Sequence, residues 1–291
     1  MNKLDNSDIS QESAAISVTT LPALTSKGLW RGQTACASTA HRFYWVTRGQ
    51  GRVSILGATR GYAAQMLIFI PAGVVAALPL ASAMQGYALS VPDSLPVPVP
   101  AHPAIIRAMR VADQGQITAF FDQIAQEARQ PQSGSDHVIE SQVTLLSVWI
   151  ERRQDRNEWY GHADRAGRLT EAFLQRLEAG FRRDHKVAAY AAALDVTPTH
   201  LSRVCRDVLG KPASGLIADR LMHEARHHLA DGTAPVGTIA TALGFATAAH
   251  FSRFFAAHSG RSPRTFRADD QSAEALPRRA NPTARPALSR R

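Results

Sequence analysis

Arg203 and Arg253 each close a four-residue run of the same kind, His200-Leu201-Ser202-Arg203 and His250-Phe251-Ser252-Arg253. An arginine fork can bond guanine O6 and N7 together, while Ser, Thr and His reach base edges or phosphate oxygens. The chemistry these residue types permit is the reading of a DNA groove. A second constellation, His223-Glu224-Ala225-Arg226-His227, matches H-E-x-x-H, in which two histidines one helical turn apart hold zinc and the glutamate is general base. Its metalloprotease continuation fails, because Ala230 and Thr233 stand where glycine and a third histidine are needed. The sequence therefore predicts no catalytic residue, no metal and no cofactor, and the segment reads as the polar face of a helix near phosphate.

Each run sits in a repeated pattern that would position it. In the first copy residues 187–194 form a short helix, Asp195 turns the chain in a left-handed conformation, and Thr197 with Pro198 caps and starts a second helix that ends at Gly210. The second copy uses residues 236–243, then Gly244, then a helix over 247–258, with one extra residue between the turn and the His-Phe-Ser-Arg run. Leu201, Val204, Cys205 and Val208 share one face of their helix, as do Phe251, Phe254 and Phe255 of theirs. Those faces pack. The other faces supply the predicted DNA-binding set: Pro198, Thr199, Ser202 and Arg203 in the first copy, and Thr247, Ala249, His250 and Arg253 in the second.

On these residues, 168–267 resembles the DNA-binding region of the AraC family of bacterial transcription regulators, two helix-turn-helix units joined by a central helix. Residues 212–230, with Arg220, Leu221, Ala225, Arg226 and Leu229, are similar to the linker helix, and Ser262-Pro263-Arg264-Thr265-Phe266-Arg267 to the closing motif. Three positions depart from the pattern. Cys205 stands where a large aromatic is usual, Pro235 where a capping hydroxyl is common, and Gly237 lies inside a helix at a cost of roughly 1 kcal/mol relative to Ala. The resemblance implies recognition helices in successive major-groove segments, about 34 Å apart on B-DNA. A linker helix of about 19 residues would span about 28 Å and could set that separation.

The chain has 291 residues, 45% of them apolar, which suits two soluble domains. No run reaches the ~20 apolar residues of a membrane span, and the polar start lacks a secretory core, so a cytoplasmic location without a membrane partner is expected. Cys36 and Cys205 read as separate thiols of a reducing compartment. A formal charge of +9 favours a polyanionic partner. Part of that charge lies in the Arg-, Pro- and Ala-rich end, which reads as a disordered tail.

Residues 28–91 read as short strands between glycine turns, at 43–47, 52–56, 66–70 and 87–91, which suits a small β-barrel or jelly roll, and residues 41–51 resemble the cupin-like sensing domain of many AraC-family members. With His41 the only histidine of that segment, a metal-free barrel is predicted. Trp30, His41, Tyr44 and Trp45 are its candidate effector-binding residues, although aromatic side chains in a small barrel also serve as core. Residues 92–103 read as a stiff proline-rich spacer, followed by helices over 104–112, 117–129 and 136 to about 159. The last carries an apolar stripe through Ile139, Val143, Leu146 and Ile150, to pack on the barrel or to pair two subunits.

The expected fold is α+β: a cupin-like β-barrel with accessory helices, then an all-α domain of two helix-turn-helix units. Its expected divisions are a disordered 1–22, a sensing domain at 23–100, accessory or dimerisation helices at 101–160, a DNA-binding domain at 166–270 and a basic tail at 271–291. The resemblance implies a non-enzymatic, sequence-specific transcription regulator under small-molecule control. Its implied partners are an operator in double-stranded DNA, RNA polymerase and a second copy of the chain in a homodimer. Residues 188–206 resemble regulators of aromatic-acid catabolism, which implies a small aromatic acid as effector. The alternative is a metal-free cupin, ligand-binding or enzymatic, with DNA binding as an accessory.

Overall fold

The computed structural model describes residues 15–26, 32–154 and 164–268. Two compact units make up the chain, 1–223 and 224–291, and the division falls inside a helix.

The first unit begins with a β-rich region that also holds the short helix α1 (Leu21–Ser26). Strands β1 (Ser17–Thr20), β2 (Ala40–Arg48), β5 (Met66–Ile70), β7 (Gln85–Pro92) and β8 (Ala104–Arg107) form a five-stranded antiparallel sheet in the order β1-β7-β2-β5-β8. A smaller sheet has the order β4-β3-β6, with β3 (Gly51–Ile55), β4 (Ala58–Tyr62) and β6 (Ala76–Ala77). Among the described residues neither sheet closes on itself, so of the expected small barrel or jelly roll the barrel is not formed and a pair of open sheets stands within the mixed α and β architecture.

The two-residue period of β2 decides what lies on each side of the larger sheet. Phe43 and Trp45 join Leu67, Phe69, Leu89 and Val91 in a core covered by Phe121 and Ile124 of α2 (Val111–Arg129) and by Val143, Leu146 and Ile150 of α3 (Ser135–Gln154). Tyr44 and Val46 face the opposite core, with Val53, Ile55 and Tyr62 of the smaller sheet. At Gly86 the backbone has φ of 139° beside an irregularity in the β2–β7 pairing, and a side chain there would collide with the Trp45 carbonyl.

The apolar stripe of α3 therefore packs on the sheet, whereas Leu145 and Val138 are exposed. Asp113, in the first turn of α2, ties the two helices together: Arg110 donates to it at 3.0 and 3.1 Å and Arg153 of α3 at 2.7 Å.

Several sequence expectations need correction here. Residues 17–20 are a strand paired with β7, so the disordered start cannot extend to 22. Residues 104–107 are a strand and not the start of a helix, because Ile105 and Ile106 pair with Ile68 and Leu67 at the sheet edge. The proline-rich 92–103 is no free spacer, since Val97 is buried and Leu95 and Val99 pack on the same core. Strands β1, β4, β6 and β8 lie outside the four that the sequence singled out.

The rest of the first unit is helical: α4 (Arg165–Gly180), α5 (Val187–Ala193), α6 (Pro198–Leu209) and the start of α7 (Ala213–Asp231). Asp164 caps α4 by accepting from Gly167 N at 2.8 Å, and Phe173, Leu174 and Leu177 form its buried face. Arg220 of α7 donates to Glu178 at 2.8 and 2.7 Å and lies 3.8 Å above the Phe181 ring, so this buried charge is both paired and stacked.

The second unit holds the end of α7, then α8 (Val236–Ala242), α9 (Ala248–Ser259) and a helical turn over 263–268. Its core is a set of rings in which Phe251 meets Phe245 at 5.4 Å and Phe255 meets Phe266 at 5.5 Å. Arg267 closes the unit by donating to the Ala234 carbonyl at 2.6 Å.

Candidate nucleic-acid interface

Two helix pairs, α5 with α6 in the first unit and α8 with α9 in the second, position the repeated runs. Asp195, with φ of 54°, makes the turn between α5 and α6, and Gly244, with φ of 76°, makes the turn between α8 and α9. Thr197 Oγ1 accepts from His200 N at 3.2 Å, and Thr247 Oγ1 accepts from His250 N at 3.1 Å. Pro198 occupies the first turn of α6, where its missing N–H leaves no bond unmade. Left-handed glycines, Gly210 and Gly260, end α6 and α9, each with φ of 75°.

The faces separate as their types require. Leu201, Val204 and Cys205 are buried in α6, and Phe251 and Phe255 in α9; Val208 and Phe254 are only half-buried. Pro198, Thr199 and Arg203 are exposed on α6 with Ser202 partly so, and Thr247, Ala249, His250 and Arg253 are exposed around the start of α9. Each predicted set is thus gathered on one accessible face of its own helix. In α6 an Arg203 amine lies 3.3 Å from His200 Nδ1, an acceptor when the ring is neutral with its proton on Nε2. In α9 His250 is instead edge-on to Phe245 at 5.3 Å. Pro235 precedes α8 without a side-chain cap, and no heavy atom lies within 4 Å of the Cβ position at Gly237.

Of the H-E-x-x-H residues, His227 is half-buried and only His223 and Glu224 leave the polar face. His223 and Glu224 are buried; His223 Nε2 is 3.5 Å from Cys36 Sγ, and Glu224 Oε1 is 3.5 Å from His228 Nε2. Their place on the inner side of α7 corrects the expectation of phosphate-facing side chains. Among the described residues no group of three or more His, Cys, Asp or Glu could hold a metal ion.

The effector residues divide. Tyr44 lines a cavity of about 100 Å³ in the β-rich region, walled by Leu24, Ile70, Val74, Leu78 and Leu80 with Arg42 and Ser38 among its polar groups. Trp45 does not reach it: the ring is fully buried in the helix-covered core and donates to Thr118 Oγ1 at 3.0 Å. His41 is also elsewhere, accepting from Ala72 N at 3.1 Å and holding Asp93 at 3.0 Å through Nε2. Trp30 lies outside the described residues. Arg42, Ser38 and Cys36 were missed, although the strand period would have linked Arg42 to Tyr44 on one face of β2.

Residues 190–269 match the model of a family described as "Helix-turn-helix domain". No curated protein matches the chain significantly. Among solved structures, ToxT from Vibrio cholerae in its apo form is 11% identical, with a TM-score of 0.44 over 88% of this chain and 97% of that one. The C-terminal domain of AraT, a response regulator from Geobacillus stearothermophilus, is 24% identical, with a TM-score of 0.35 over 41% of this chain and 96% of its own. A transcriptional regulator from Chromobacterium violaceum, described by its AraC-type DNA-binding domain, is 24% identical, with a TM-score of 0.31 over 34% and 88%. With the two helix pairs in place and the family match laid over them, residues 190–269 form a helix-turn-helix domain.

Proposed function

We propose that this protein is a sequence-specific DNA-binding transcription regulator whose β-rich region binds a small effector. The observation that carries the reading is the pair of exposed Arg-, Ser- and Thr- or His-bearing faces, each on a helix of a helix-turn-helix pair whose other face is buried. Arg203 and Arg253 are the leading base readers. Thr199, Ser202, Ala249 and His250 contribute further base or backbone contacts, and the capped starts of both helices, with Pro198 and Thr247, approach phosphate. A formal charge of +9 adds nonspecific attraction to the duplex.

The cavity beside Tyr44 supports the effector half of the reading. Its apolar walls suit a ring or short hydrocarbon, and the Arg42 guanidinium suits a carboxylate, so a small apolar acid is the ligand class. Control of transcription through this cavity belongs to the proposal, as do homodimerisation and contact with RNA polymerase. Residues 166–270 are proposed as the DNA-binding region, following a sensing region at 23–100, to whose sheet β1 and β8 also belong, and the accessory helices α2 and α3. No enzymatic role is assigned.

Sequencing the genomic fragments retained by the purified protein tests the main reading. Discrete sites enriched above background are expected. Retention that follows fragment length alone, with no site enriched, would contradict sequence-specific binding.

A further inference from the structure

The two recognition helices are copies in register. Each runs the same number of residues from its capping threonine, Thr197 or Thr247, to its left-handed glycine, Gly210 or Gly260. Histidine follows three residues after each cap and arginine six residues after it. The single-residue difference lies in the turn, where Val196 stands against Phe245-Ala246, and it ends before the cap. Thr199 and Ala249 are also equivalent, and both present a methyl group of the kind that contacts the thymine C5-methyl. The histidines are held differently, His200 by Arg203 and His250 by Phe245, so the determinant the copies share is the arginine.

We propose that the two helices select the same base at equivalent positions, so that the stretch of operator bound by one chain carries one short guanine-containing element twice, each copy read by one arginine. The inference rests on the DNA-binding reading above and adds to it the content of the operator. An arginine fork in the major groove prefers guanine, and identical capping fixes the residue offset from helix start to fork in both copies.

Selection from random duplexes by the full chain, repeated with Arg203→Ala, Arg253→Ala and Arg203→Lys, tests this. Wild type is expected to recover sites holding the same guanine-containing element twice within the stretch bound by one chain. Each alanine variant should lose about tenfold or more of the guanine preference in one copy only, a different copy for each. Arg203→Lys should relax the same copy as Arg203→Ala while keeping the salt dependence of wild type, because it retains the charge and loses the fork. Circular dichroism checks that these exposed substitutions leave the fold intact. Two unlike elements per site, or one variant relaxing both copies, would overturn the proposal and leave specific binding standing. Recovery of no preferred sequence would overturn both.

Discussion

At the scale of single residues, identical chemistry has different consequences according to what surrounds it. Cys205 is fully buried beneath α6, and burial pushes its thiol up to about 12, so at neutral pH it is a protonated, unreactive apolar group. Cys36 lines the cavity and is half-buried, and neither cysteine is in a disulfide. Titration of the native protein with a chromogenic disulfide reagent should therefore modify Cys36 and spare Cys205, and denaturant should release the second thiol. Rapid modification of Cys205 in the folded protein would show that the core under α6 opens. The sequence marked Cys205 as an unusually small residue at a core position, and the position is indeed closed. It gave no such clue for His41 and Trp45, because an aromatic residue in a strand is equally suited to a cavity and to a core, and only the pairing of β2 decides which face it takes.

At the scale of elements, the helices of the DNA-binding region were legible because their ends carry local chemistry. Thr197, Pro198 and Gly210 mark α6 without reference to the rest of the chain, and Asp195 adopts the left-handed turn that its position suggested. Strands fared unevenly. The apolar runs of β5 and β7 declare themselves, whereas β4 exposes Thr59, Arg60 and Gly61 and resembles a loop. In β8, Ala-Ile-Ile-Arg suits a helix as well as a strand, and only the ladder with β5 decides, which is a tertiary effect overriding local preference. The join between α2 and α3 makes a pH prediction. Hydrogen bonding from Arg110 holds the Asp113 carboxyl below its usual range, with the Arg153 charge acting in the same sense. A depressed folded-state value stabilises the protein above the unfolded carboxylate pKa, about 3.9, and that contribution is lost as pH falls below it. Thermal melts should show wild type losing stability through this acid range more steeply than Asp113→Asn. At neutral pH the variant should be less stable by about 1–3 kcal/mol, having lost charge-assisted bonds. Parallel acid profiles for the two proteins would remove Asp113 from the account.

At the scale of the whole molecule, the α+β character and the order of its parts could be read from the chain, but the closure of the sheets could not. Closure depends on which strands meet across the region, and the short, polar or ambiguous strands that decide it carry the weakest local signals. The repeated His-x-Ser-Arg runs survived translation into structure because period and cap act within one helix. Among the described residues no helix is long and apolar enough to cross a membrane. Whether the exposed faces of α6 and α9 read DNA is tested most directly by equilibrium titration of one selected operator duplex with wild type, Arg203→Ala and Arg253→Ala. Each variant is expected to bind that duplex more weakly by about 1–3 kcal/mol, with unchanged melting and with nonspecific duplex bound nearly as before. Wild-type affinity in both variants would contradict the assignment of these helices as the readers of DNA.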